Sequence, residues 1–271
     1  MNQLLARPAA SQEATWHHGL ERKSARELAL MREAGKINAL ALAEMAKHTR
    51  PGVTTQQLNA IAERVIRNHG AEPAFKNYPG PYPFPASITV SVNEQLVHGL
   101  PGPRVIREGD LVSLDCGVKF QGYYADAAIS VGVGKCSPLV RKILQVTEEA
   151  LWIGVRLLRP GKRTGDVSAA LREFVEERHG FRLVRNYTSH GIGRHVHEDP
   201  ALTNDEKAGT GALLRPGLVI ALEPMVLVST RETRTLPDQW TVVAADGEVT
   251  AHFEHTVAIT EGEPEVLTAL G

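Results

Sequence analysis

Four acidic residues sit inside otherwise apolar, strand-like segments: Asp115 in DLVSLDCGV, Asp126 in YADAAISVGV, Glu223 at the end of RPGLVIALE and Glu254 in AHFEHTVAIT. A carboxylate in an apolar strand is costly to bury unless it is paired or bound to a metal, and four of them call for a common reason. Histidines supply the rest of the chemistry. The stretch SHGIGRHVHEDP, Ser189 to Pro200, carries His190, His195 and His197, with glycines at 191 and 193. Four carboxylates with one imidazole form a hard, oxygen-rich donor set suited to a pair of divalent ions such as Mn, Fe, Co or Zn, which activate water and polarise carbonyl groups. Residue types alone leave open which histidine joins that set. Competing motifs are weak: the HxH at 195–197 has no HExxH helix beside it, and Gly132-Val133-Gly134-Lys135 lacks the lead and the Ser/Thr of a phosphate loop and reads as a strand end.

The elements that must position these residues come in two similar sets. Ser24-Ala25-Arg26-Glu27 is a capping box, and Leu28, Met31, Ala34, Ala41, Leu42 and Met45 follow at helical spacing, so a first helix is predicted to run until Arg50-Pro51-Gly52. Thr54 with Gln57 opens a second helix that ends at His69-Gly70. FKNYPGPYPFPAS is a loop whose clustered rings invite a binding role, and SITVSV, DLVSLDCGV and YADAAISVGV read as strands. Ser137-Pro138 opens a third helix that stops at Arg159-Pro160-Gly161, and a fourth runs from Thr164 to His179-Gly180. PGVTTQQLNAIAERVIRNHG (51–70) and PGKRTGDVSAALREFVEERHG (160–180) begin and end alike, and REGDLVSLD aligns with RPGLVIALE so that Asp115 corresponds to Glu223. Asp126 pairs more loosely with Glu254. Asp115 and Asp126 flank the turn at 120–122, which in a hairpin places both on one face.

Composition narrows the classes. With 271 residues, 42% of them hydrophobic, the chain supports one well-buried core, and a formal charge of -1 argues against a broad footprint on nucleic acid or anionic lipid. Cys116 and Cys136 lack CxxC spacing, which fits a reducing compartment. Neither a signal-peptide core nor a run of roughly 20 apolar residues is present. The expectation is a cytoplasmic protein without membrane or sequence-specific nucleic-acid partners. Residues 1–23 show no apolar period and read as an N-terminal extension outside the core, with residues 24–271 as one catalytic domain.

VNEQLVHGLPG, LVSLDCGVKFQGYYADAAISV, SHGIGRHVHEDP, VIALEPMV and AHFEHTVAIT, in this order, resemble type I methionine aminopeptidases, dinuclear metallopeptidases of the pita-bread fold. The resemblance spans roughly residues 24–260 and implies an α+β architecture of two pseudo-symmetric halves, with antiparallel sheet covered by helices. It further implies two divalent ions (Co, Mn, Fe or Zn) held by Asp115, Asp126, His190, Glu223 and Glu254, with Asp126 and Glu254 bridging. Removal of the N-terminal Met from nascent polypeptides with a small second residue, near the ribosome, is the implied activity. On this resemblance Glu223 would act as general base, His197 would bond the carbonyl oxygen and His98 would contact the scissile nitrogen. Tyr78, Tyr82 and Trp240 would wall the Met pocket. His195 is left as a solvated bystander; His17, His18, His48, His69 and His179 read as surface or helix-end residues, and His255 as facing away from the site.

Three positions depart from the family pattern: Thr89 where many relatives have Cys, Val196 where they have a bulkier aromatic, and His252 where Gln is expected. Thr89 and Val196 bear on the pocket's shape. His252, two residues before Glu254, shares its strand face and reads as a supporting donor or an added ligand. The alternatives are an Xaa-Pro or other aminopeptidase of the same fold, and a metal-free peptide-binding homologue; His98 in its VNE-HG context favours methionine, and intact ligand positions oppose loss of catalysis.

Overall fold

The computed structural model describes residues 16–270. The capping boxes act as read: Ser24 and Thr54 accept from the backbone N–H of Glu27 and Gln57, opening α1 (Ala25–His48) and α2 (Thr55–Asn68). Ser137 caps α3 (Pro138–Leu157), with proline at the first helical position where no N–H is needed. The fourth helix departs from expectation. α4 (Thr164–Arg172) is α-helical only to Arg172 and continues as a π-helical segment, Glu173–Arg178.

The first half is built on the hairpin of β4 (Leu111–Phe120) and β5 (Tyr123–Gly132), paired from Leu111↔Gly132 to Phe120↔Tyr123. β1 (Glu72–Pro73) and β2 (Thr89–Val92) pair with β4, while β3 (Gln95–Val97) joins a separate small sheet described below. α1 and α2 cover β4 and β5 over one apolar cluster that includes Met45, Leu58, Ile66, Leu114 and Val118. Buried Asn38 of α1 donates to the carbonyls of Cys116 and Ala125, tying the helix across the hairpin.

The second half repeats the plan with other strands. β7 (Ser189–Gly191) pairs with β8 (Glu198–Leu202) and with β9 (Val219–Leu222), which pairs in turn with β14 (His255–Ala258) and through it β15 (Glu265–Val266), all antiparallel. α3 and α4 cover these strands over a second cluster containing Ile143, Leu151, Leu171, Ile220 and Val257. β6 (Arg182–Leu183), β10 (Met225–Leu227) and β13 (Thr250–His252) form one small sheet, and β11 (Thr233–Thr235), β12 (Val242–Ala244) and β3 another. The halves meet at an isolated antiparallel bridge in which Glu254 N–H donates to Ala128 O at 2.8 Å. That seam lies beside all four carboxylates. Among the described residues no helix is long and apolar enough to cross a membrane.

Residues 16–23, read from sequence as lying outside the core, run along the second half. His17 N–H donates to His197 O (3.0 Å), Asp199 N–H donates to His17 O (3.0 Å), and Lys23 N–H donates to Gly217 O (2.6 Å). Lys23 is buried against Glu198, itself fully buried, in a close ion pair. Gly193 makes room for it, since a side chain there would collide with the lysine stem. Sequence patterning misses this segment because its contacts are individual, not periodic.

Candidate metal centre

Register explains why the carboxylates converge. Asp126 lies opposite Gly117, and Asp115 lies opposite Ala128, two residues along β5, so both carboxyl groups leave the same face of the hairpin. Ala128 bridges Glu254, and His255 beside it pairs with Leu222, the neighbour of Glu223. His190 on β7 lies opposite Ala221, which brings its ring to the same seam. Two groups of donor atoms result, each with all ligand atoms within 4.8 Å: Asp126, His190 and Glu254, and Glu223, His252 and Glu254. Glu254 belongs to both. Asp115 belongs to neither group but stands beside them, accepting from Thr89 Oγ1 at 3.3 Å through one oxygen.

These side chains fit divalent cations on their own chemistry. Asp115 Oδ1 and Asp126 Oδ1 are buried without a hydrogen-bond partner, an arrangement natural structures avoid unless something else satisfies the oxygen. Burial pushes Asp115 up to about 6, opposed by nearby His252, and pushes Glu223 up to about 7, opposed by His190. Burial drives Asp126 and Glu254 well above the ordinary carboxylate range, helped by the charges of Asp115 and Glu223 on Asp126 and of Asp126, Glu223 and Asp115 on Glu254. Such a cluster of mutually repelling acids needs positive charge at its centre.

Above the carboxylates opens a cavity lined by Trp16, Tyr78, Thr89, His98, His197 and Trp240 among others. His197 is held by a hydrogen bond between Nδ1 and the Tyr78 hydroxyl (2.7 Å) and by the Trp16 indole stacked on it, centroids 5.6 Å apart. Burial, with His190 beside it, takes its imidazole well below the ordinary histidine range. His98 follows β3 in the left-handed region (φ 58°), and burial with neighbouring His252 lowers it to about 4. Trp240 is fixed edge-on against Phe84 (5.0 Å), with Gly80 so close to its ring that no side chain fits there.

Several sequence readings shift in place. Tyr82 does not line the cavity: its hydroxyl donates to Asp238 O (2.9 Å) and its ring backs Trp240 (6.1 Å). His195 is exposed as expected, though stacked on His17 at 4.6 Å. His255 faces away, bonded to Thr268 Oγ1 (2.9 Å). Phe75 lines the cavity from the aromatic loop flagged in the sequence, while Trp16 and Tyr187 line it without having been singled out; an isolated Trp in an aperiodic segment carries no pattern that would find it.

Two layers of helix-covered strands meeting at a carboxylate-imidazole seam define a metallopeptidase scaffold, and the profile of metallopeptidase family M24 matches residues 29–261: the chain belongs to that family, which uses divalent metal. Within it, the similarity is to methionine aminopeptidases. Methionine aminopeptidase 1 of Bacillus subtilis (strain 168) is 48% identical over 91% of this chain and 98% of its own length, and the enzyme of Aquifex aeolicus (strain VF5) 43% over 93% and 99%. The crystal structure of methionine aminopeptidase from Thermotoga maritima superposes with a TM-score of 0.90 at 40% identity, over 93% of this chain and all of that one. Prolidase from Pyrococcus furiosus shares the fold at 22% identity (TM-score 0.73), over 92% of this chain and 66% of its own.

Proposed function

We propose that this chain is a methionine aminopeptidase that removes the N-terminal Met of nascent polypeptides in the cytoplasm, close to the ribosome. The observation that carries the reading is the convergence of Asp126, His190, Glu223 and Glu254 beneath an aromatic cavity, in a chain 48% identical to a methionine aminopeptidase. Asp115, Asp126, His190, Glu223 and Glu254 would hold two divalent ions, with Co, Mn, Fe and Zn as the candidates. Such a pair supplies Lewis acidity toward a carbonyl and a water nucleophile at neutral pH.

The protein's own groups do the rest. Glu223 is the base we assign: its side chain is 13% exposed against 3% for Glu254, so it still reaches the open cavity where a proton must be collected. His197 is neutral at pH 7, and in the tautomer whose Nδ1 accepts from the Tyr78 hydroxyl, its Nε2 carries the proton offered to the carbonyl oxygen as charge develops there. His98, neutral as well, faces the scissile nitrogen, and Tyr78, Thr89 and Trp240 bound the Met side chain. Residues 24–271 act as the catalytic unit, joined by Trp16 at the cavity wall.

The test is the metal-loaded protein on Met-Gly-Met-Met, Met-Leu-Met-Met and an Xaa-Pro peptide. Rapid release of Met before Gly, slow release before Leu and no Xaa-Pro cleavage are expected, because the pocket that receives Met leaves limited room for a large side chain past the scissile bond. Preference for the Xaa-Pro peptide would replace this reading with that of a proline-directed aminopeptidase.

A further inference from the structure

His252 is 2% exposed, and neither Nδ1 nor Nε2 has a hydrogen-bond partner, a costly state for a buried imidazole. Its Nε2 stands 3.5 Å from Glu223 Oε2 and 3.9 Å from Glu254 Oε2. These separations exceed the 2.7–2.9 Å of a charge-assisted hydrogen bond. They match ligands sharing one cation: with metal–nitrogen and metal–oxygen bonds of about 2.0–2.2 Å, two donors on the same ion stand about 3–4 Å apart. His190 shows the same relation on the other side, Nε2 lying 3.4 Å from Glu223 Oε1. Each oxygen of Glu223 thus faces one imidazole.

The backbone holds His252 in that position. Its N–H donates to Ser130 Oγ (2.9 Å), which donates back to its carbonyl (2.8 Å), while Ser113 and Ser130 hydroxyls bond each other at 2.7 Å. On β13 it pairs with Met225, and strand alternation turns Phe253 into the apolar core while His252 and Glu254 share the site face.

We propose that His252 is a direct ligand of the cation lying between Glu223 and Glu254, giving this centre a second ligating imidazole beside His190; the proposal rests on the metallopeptidase reading above. A second nitrogen donor shifts the site toward ions such as Co²⁺ and Zn²⁺ and away from oxygen-preferring Mn²⁺.

The deciding experiment is proton NMR of the Co²⁺-loaded protein, in which each ligating imidazole gives its own strongly shifted, exchangeable N–H signal, combined with calorimetric Co²⁺ titration. Two such signals are expected in the wild type, one missing in His190→Ala and the other in His252→Gln. One Co²⁺ equivalent should lose more than about 100-fold in affinity in His252→Gln, beyond the 10–100-fold typical of a residue that only supports a ligand. A wild type that takes up two equivalents yet shows one imidazole signal, removed by His190→Ala, overturns the proposal and leaves the metallopeptidase reading intact. A wild type that binds no Co²⁺ overturns both. Because the signal count is made on the native protein, the test stands even if His252→Gln fails to fold.

Discussion

His190, His195 and His197 lie within eight residues of one another in three different settings, His190 on β7 and the others in the loop after it, and each setting dictates a separate outcome on replacement. His190 is buried within the donor group of Asp126 and Glu254, so His190→Ala is expected to lose bound metal and activity together. His197 touches Tyr78 and Trp16 and is absent from both donor groups; His197→Ala is expected to keep its metal and lose about 10² or more in kcat. His195→Ala should change neither, since its ring is exposed and, among the described residues, stacks on His17 alone of the aromatic rings. Metal analysis and steady-state kinetics on the three purified variants check this; metal loss in His195→Ala with retention in His190→Ala would reverse the assignment. The four carboxylates were legible in the sequence because an acid in an apolar strand contradicts its surroundings. Tyr82 was misplaced for the opposite reason: in a Pro-rich aromatic loop every ring looks alike, and only the hydrogen bond to Asp238 reveals that this one faces away.

At the scale of elements, that loop is fastened to α2 by two side chains, Glu63 and Asn59, the latter accepting from the Ser87 N–H (2.9 Å). Glu63 accepts from Lys76 (2.8 Å), from Ser87 (2.9 Å) and from Arg67 (2.9 Å), so it holds both ends of the segment carrying Tyr78 and Phe84. Lys76, with help from Arg67 and Ser87, lowers its carboxyl to about 2. A depressed carboxylate contributes stability that is present above its unfolded value near 4.5 and disappears as pH falls toward 2. Glu63→Gln is expected to cost on the order of 1 kcal/mol at pH 7, allowing for its partial exposure. Denaturant unfolding should show the gap to wild type narrowing between pH 5 and pH 2; a gap independent of pH would mean that charge plays no part. Helices α1 to α3 were legible to within a residue or two because their caps are local chemistry, Ser24 with Glu27 and Thr54 with Gln57. The π-helical end of the fourth helix was not, since its spacing of apolar residues also suits an α-helix.

For the whole molecule, the centre joins two halves that each have their own apolar cluster, so occupancy of the seam should be felt in global stability. Adding Co²⁺ at about 100 times its dissociation constant to chelator-treated protein is expected to stabilise the fold by about 2.7 kcal/mol, several degrees in Tm. Asp126→Asn should abolish the shift, because an amide is a far weaker donor to a divalent cation than the carboxylate it replaces; an unchanged shift in differential scanning fluorimetry would place the ion elsewhere. The duplication was legible from the paired Pro-Gly and His-Gly boundaries, whereas the contact of residues 16–23 with the second half was not.

The ion pair of Lys23 with Glu198 has a practical corollary for anyone shortening this protein. Sequence patterning invites a cut immediately before Ser24, where the first capping box begins, yet that cut removes the cation and strands a fully buried carboxylate to which, among the described residues, the His195 N–H (3.0 Å) still donates. Breaking a buried pair from one side costs about 3–5 kcal/mol, a large share of the stability of an ordinary domain. A chain beginning at Ser24 should therefore melt far lower and give little soluble material, while one beginning at Trp16, which keeps Lys23, should melt well above it. Equal melting temperatures for the two would show that Glu198 finds water or another partner once Lys23 is gone.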